Sequence, residues 1–233
     1  MSSTTPTPQA SLTERRKAET RMEIARAAAG LFVRRGLRAT RAEDIAQTAG
    51  IAPRTFYRYF ATKEEAVAPL YAAGAQRWVE AVRAAPASVS VPQALEDGVR
   101  HTLTPGVGVS ASSWEWVRTL LRLAAANPSL RRVWAEVCQD SERMLGEVLA
   151  ERVTRAGAVA GSAAADGGDN VAAAAELRLA DAALRFAAAV ASAAVRTALE
   201  GWAEGDGPAE GPGSPADLAL RNLTALRDFP FGA

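Results

Sequence analysis

The residues best equipped for chemistry lie close together between Thr40 and Lys63. Arg54 can grip a guanine edge with two parallel N–H groups, and Thr55 can touch a thymine methyl or hydrogen-bond a base. Tyr57, Tyr59 and Lys63 have the reach and the donors for backbone phosphates. Pro53 and Arg58 belong to the same short segment, and Thr40, just upstream, can add a phosphate contact. Arg15, Arg16 and Lys17 form a second basic cluster, which reads equally as an arm along DNA or as a solvated helix start.

Helices must hold these groups. Ile24, Ala25, Ala28, Leu31 and Phe32 recur at helical spacing in a run that starts at Thr13 and stops at Gly36. Thr40 reads as an N-cap, with Glu43 three residues on completing a capping box. The short helix that follows turns Ile45 and Ala46 inward and ends at Gly50. Ala52–Pro53 opens a third helix, where the missing proline N–H costs nothing. Phe56 and Phe60, four apart, form its inner face and leave the other faces free. Two short helices around Gly50–Ile51–Ala52 spell a helix-turn-helix, whose second helix is the reader. Thr62 caps a longer helix whose free N–H groups can add to the same DNA strand.

Five elements in register carry a resemblance. They are the run Ile24 to Phe32, then Gly36, then Thr40 to Ile51, then Thr55 to Phe60, then Ala61-Thr-Lys-Glu. Together they closely resemble the TetR family of bacterial transcriptional regulators, over roughly Thr20 to Leu70. The resemblance implies an all-helical homodimer with an N-terminal three-helix DNA-binding domain. It also implies a larger C-terminal domain that binds a small effector and forms the dimer interface. Thr40, Pro53, Arg54, Thr55, Tyr57, Tyr59 and Lys63 match the family's DNA-contacting positions. Tyr59 stands where many members have histidine, and its phenol can still donate to a phosphate.

Charge agrees with this division. From Ser11 to Lys63 there are 12 basic and 5 acidic residues, and from Glu64 onward 15 basic and 21 acidic. A net charge of +1 therefore hides a basic head on an acidic body, as expected of a polyanion reader. A single cysteine, Cys138, and a single histidine, His101, exclude a disulfide framework and cysteine- or histidine-rich metal sites. No Ser/His/Asp arrangement, phosphate loop or metal-ligand spacing occurs, so no catalytic residue, metal or cofactor is expected. The N-terminal residues carry no signal-peptide pattern. The alanine-rich stretch Leu179 to Leu199 is interrupted by Asp181, Arg185 and Arg196. The expectation is a cytoplasmic protein with no membrane association.

The fold class is all-α, with about nine helices and no strand: a helix-turn-helix domain followed by a larger helical domain. The domains are drawn as a disordered tail over 1–12, a DNA-binding head over 13–63, and an effector-binding and dimerisation body over 64–233. A Gly/Ala/Ser linker is placed at Gly157 to Gly168. In the body, Trp114, Trp116, Trp134, Cys138 and Met144 are candidates to line an apolar pocket, or equally to fill the core. His101, Arg118 and Arg122 are possible polar contacts for a ligand. Two last helices, about 172–203 and 215–228, are expected to pair with those of a second copy in a four-helix interface. The function read from these features is a sequence-specific regulator on a palindromic operator, a repressor released by a small apolar or amphipathic effector. Alternatives are a regulator that activates or needs no ligand, and a helical protein-interaction adaptor.

Overall fold

The computed structural model describes residues 11–106, 111–160 and 170–226, with side chains described over 113–155 and 178–226 of the last two stretches. Among the described residues there are nine α-helices, one 3-10 turn and no strand. The helices are α1 (Leu12–Arg35), α2 (Ala42–Thr48), α3 (Pro53–Tyr59), α4 (Ala68–Ala84), α5 (Val91–Leu103), α6 (Ala111–Ala126), α7 (Pro128–Ala160), α8 (Asn170–Glu204) and α9 (Pro215–Ala225), and the 3-10 turn is Glu65–Val67. The chain divides into two compact units between Leu70 and Tyr71.

In the first unit α1 packs on α2 and on the 3-10 turn, and α2 packs on α3. The apolar residues of each helix meet in one core of Ile24, Ala28, Phe32, Ile45, Phe56 and Val67, all essentially without exposure. Gly50 takes φ 68°, a left-handed conformation that glycine adopts without strain. It lets the chain reverse between α2 and α3, and the Ile51 N–H closes back on the Ala46 carbonyl at 2.9 Å. The cap of α2 differs from expectation. Arg41 is the N-cap, and its backbone N–H donates to Asp44 Oδ2 at 2.9 Å. Thr40 is fully buried, and its hydroxyl donates to the Gly36 carbonyl at 2.9 Å. A buried hydroxyl takes the nearest free carbonyl, which moves the cap one residue along.

In the second unit α6, α7 and α8 pack on one another, α9 packs on α8, and α5 packs on α9. Asn127 caps α7, its Oδ1 accepting from the N–H groups of Ser129 and Leu130 at 3.0 and 3.2 Å. The helix stays regular to Ala160, so the first part of the expected linker is helical. The rest of that linker, 161–168, lies outside the described residues, as do residues 1–10 and the expected end of the last helix at 228. The segment Arg178–Glu204 is long and apolar enough to cross a membrane by length and composition alone, despite its charges. Its alanines explain this. Ala187, Ala188, Ala191, Ala194 and Ala198 are buried in a helix that packs on α7 and α9.

One charged residue organises the turn between α4 and α5. Arg152, on α7, is 5% exposed, and its guanidinium donates to the carbonyls of Val82, Ala85, Pro86 and Val89 at 2.6–3.1 Å. Burial, and then the neighbouring Arg155, hold its pKa below the usual arginine value. Four carbonyls that have left the helix ladder thus share one planar donor fork. Arg152→Met is expected to lower unfolding free energy by about 1–3 kcal/mol, because it strands buried acceptors. Thermal and urea melts of the two proteins check this.

Candidate functional site

Helix α3, expected to be the reader, presents three kinds of side chain. Phe56 and Phe60 are buried, with ring centroids 5.9 Å apart. Arg54, Tyr57 and Arg58 are exposed and, spaced three and four apart, share one face. Pro53 is exposed at the first turn, and Thr55 and Tyr59 flank the exposed face half-buried. Arg21 of α1 pins the far end: its guanidinium lies 4.6 Å from the Phe60 ring centroid and donates to the Tyr59 carbonyl at 3.0 Å. Tyr57 Oη donates to Glu43 Oε1 of α2 at 3.3 Å. Its pKa lies above the ordinary tyrosine value through desolvation first, then the Glu43 carboxylate.

Lys63 has a double duty. Its Nζ donates to the carbonyls of Leu37 and Thr40, both at 2.7 Å, and so ties the end of the reading segment to the loop before α2. An ammonium has three donors, so one stays available to a phosphate. Thr40 has no such reserve, since its hydroxyl proton is spent on Gly36 inside the core. Arg15, Arg16 and Lys17 are exposed on the first turns of α1, which Ser11 caps by accepting from the Glu14 N–H at 3.2 Å. They stand on a regular helix, and burial begins only near Ile24.

The second unit holds a groove of about 920 Å³ between the end of α6, α7 and α8. Trp134 and Cys138 line it, with Leu121, Ala124, Ser192 and Ala203 among the less polar neighbours. Trp134 Nε1 donates to Glu200 Oε1 at 2.7 Å, and Arg196 pairs with the same carboxylate at 3.1 Å. The Trp134 ring meets Tyr71 edge to face at 5.1 Å. Tyr71 is buried, donates to the Leu120 carbonyl at 3.0 Å, and has its pKa pushed up by that burial and then by Cys138. Burial pushes the Cys138 thiol up to about 12; Arg196 opposes the shift, and Glu200 and Glu142 add to it. The thiol is therefore neutral near pH 7 and serves as a polarizable wall.

Residues 24–68 match the model of the bacterial regulatory proteins of the tetR family. The HTH-type transcriptional regulator TcmR of Streptomyces glaucescens is 30% identical over 146 residues, which cover 60% of this chain and 63% of TcmR. The HTH-type transcriptional repressor KstR2 of Mycobacterium tuberculosis is 51% identical over 47 residues, 20% of this chain and 24% of KstR2. The chain thus spans less than two thirds of either relative. Thermus thermophilus FadR, a TetR-family repressor solved with lauroyl-CoA, aligns with TM-score 0.50 at 23% identity, over 88% of this chain and 92% of FadR. That likeness concerns the fold.

The head of the chain is similar to the TetR family over residues 24–68. The matched segment, Ile24 to Ala68, contains the whole of α3 together with Phe60 and Lys63, and leaves out Arg21. The other pocket candidates are placed elsewhere. Trp114 is 1% exposed and packs edge to face on Trp202 at 5.4 Å. Arg118 stacks 4.2 Å over Trp202 and donates to the Gly207 carbonyl. Trp116 and His101 are exposed, and Met144 is half-buried away from the groove lining. Arg122 does line it, donating to the carbonyls of Ala203 and Gly205. Arg196 and Glu200 are an i, i+4 pair on α8, a spacing legible in the sequence, but the bond of Trp134 on α7 to Glu200 has no local signal. Among the described residues no group of three or more His, Cys, Asp or Glu could hold a metal.

The geometry separates two residues that the sequence treats alike. Lys63→Met is expected to cost about 1–2 kcal/mol of unfolding free energy, through two carbonyls left without a donor. Arg54→Ala, on an exposed face, is expected to change it by less than about 0.5 kcal/mol. Chemical denaturation of both variants makes the comparison.

Proposed function

We propose that this chain is a sequence-specific DNA-binding transcriptional regulator, a repressor that a small apolar or amphipathic effector releases from its operator. One observation carries the reading. An exposed face of Arg54, Tyr57 and Arg58 stands on a helix anchored by buried Phe56 and Phe60, inside the segment that matches the family model. Arg54 and Thr55 read base edges; Tyr57, Tyr59, Arg58 and the remaining donor of Lys63 take phosphates. Pro53 brings the start of the helix close to the groove. Thr40 acts through the fold, and Arg15, Arg16 and Lys17 extend the basic surface along α1. Such a protein works in the cytoplasm.

Two copies of the chain are needed for a palindromic operator. Leu179, Ala182, Ala183 and Phe186 form an exposed stripe at helical spacing on α8, with Leu179 and Phe186 72% and 59% exposed. An apolar stripe of this kind needs a cover, and α8 with α9 of a second copy supplies one. The groove over Trp134 supports the effector role. A body seated there bears on Trp134, whose ring meets Tyr71 of α4. FadR, with its lauroyl-CoA, is a relative in fold that takes an amphipathic ligand.

Fluorescence anisotropy with fragments from upstream of its own gene and its neighbours tests the reading. Binding should fall steeply with salt, as counterion release requires. Arg54→Ala should weaken it by about 1–3 kcal/mol, on the order of tenfold to a hundredfold. Absence of binding to every fragment would favour an adaptor. Phe186→Glu should shift the sedimenting species from dimer to monomer and weaken operator binding in parallel.

A further inference from the structure

Five acidic residues lie between Ser11 and Lys63, and one of them stands on the surface expected to meet DNA. Glu14, Glu19 and Glu23 are on α1, and Asp44 accepts from the Arg41 N–H at the start of α2. Glu43 is exposed on the first turn of α2. Its Oε1 accepts at 3.3 Å from Tyr57 Oη, on the face shared with Arg54 and Arg58. Among the described residues Glu43 makes no ion pair with an arginine or lysine. The direction of its bond is fixed. A carboxylate only accepts, so the phenol supplies the proton, and the raised pKa of Tyr57 keeps that proton in place near pH 7. A phenol has one proton to give.

Phosphates are acceptors too, so Tyr57 cannot donate to a phosphate and to Glu43 at once. Docking on DNA exchanges one acceptor for the other and leaves the Glu43 carboxylate without a donor beside a polyanion. Like charges brought together oppose binding on any duplex. The opposition is relieved where the duplex itself offers an N–H group. In the major groove two bases do so, cytosine at N4 and adenine at N6. Adenine carries the acceptor N7 next to its amino group, which repels a carboxylate, and cytosine has no such neighbour on its own ring. We infer that Glu43 is a specificity-determining residue: it accepts from a cytosine amino group in the operator and opposes docking on duplexes without cytosine at that place. This rests on the reading of α3 as the helix in the groove. Glu43 sits one hydrogen bond from Tyr57, so a carboxylate of α2 reaches the same stretch of DNA as the reading face. As a first-turn acid it also complements the dipole of α2, a role that Asp44 shares and that no base sequence alters.

The test selects duplexes from a library with a randomised centre, using full-length wild type, Glu43→Ala, Glu43→Gln and Glu23→Gln. Wild type should enrich a motif with cytosine at one position of each half-site, and Glu43→Ala should lose the preference at that position alone. Glu43→Gln should move it to adenine, because an amide pairs with N6 and N7 together. This variant keeps the side chain's size and carries the test where melts show the alanine variant unfolded. Glu23→Gln, which removes an acid of α1, should keep the wild-type motif. Anisotropy then compares the selected duplex with one whose cytosine pair is replaced by thymine–adenine. Wild type should lose about tenfold to a hundredfold in affinity, and Glu43→Ala less than about threefold. Glu43→Ala should also hold the replaced duplex more tightly than wild type does. A Glu43→Ala protein that selects the wild-type motif unchanged overturns the inference and leaves the regulator standing. Equal weakening on both duplexes makes Glu43 purely structural and overturns it as well. A wild type that enriches no motif removes the regulator reading, and the inference with it.

Discussion

A seven-residue helix does not hold itself in water, because nucleation costs more than so few hydrogen bonds return. The reading helix exists because Phe56 and Phe60 are buried against the rest of the head. Everything proposed for DNA depends on that burial. It fixes the rotation of α3, and rotation alone decides that Arg54, Tyr57 and Arg58 face outward. Arg21 adds a bond to the Tyr59 carbonyl, and Lys63 ties the segment after α3 to the Leu37 and Thr40 carbonyls before α2.

The body follows a different economy. Alanine dominates α8 where it is buried, so neighbouring helices approach closely and the few large side chains become structural landmarks. Trp202 gathers Trp114, Arg118 and the Gly207 loop around itself, and its Nε1 donates to the carbonyls of Gly207 and Pro208. Gly207 lies so near Gly213 that an added Cβ would stand 2.7 Å from the Gly213 carbonyl oxygen. Trp134 plays the other part. It lines the groove and rests its ring edge to face with Tyr71 of α4.

Much of the head was legible because its contacts are local or nearly so. The i, i+4 phenylalanines, the glycine stops and the proline at the first helical turn each follow from short-range rules. The cap of α2 was misread by one residue, since burial of Thr40 depends on α1 and the Lys63 tether and not on the four residues around it. In the body the helices were legible and their contents were not. Composition groups Trp114, Trp116, Trp134, Cys138 and Met144, yet only Trp134 and Cys138 reach the groove. Neighbours on a helix point in different directions, and which direction is inward depends on helices far away in sequence.

The sequence by itself determined the all-helical class, the basic head and the side chains of the reading face, because periodicity and local capping operate within a few residues. Tertiary structure alone decided which aromatic lines the groove. Trp134 and Glu200 are 66 residues apart. No local pattern announces such a pair; packing of α7 against α8 brings them together.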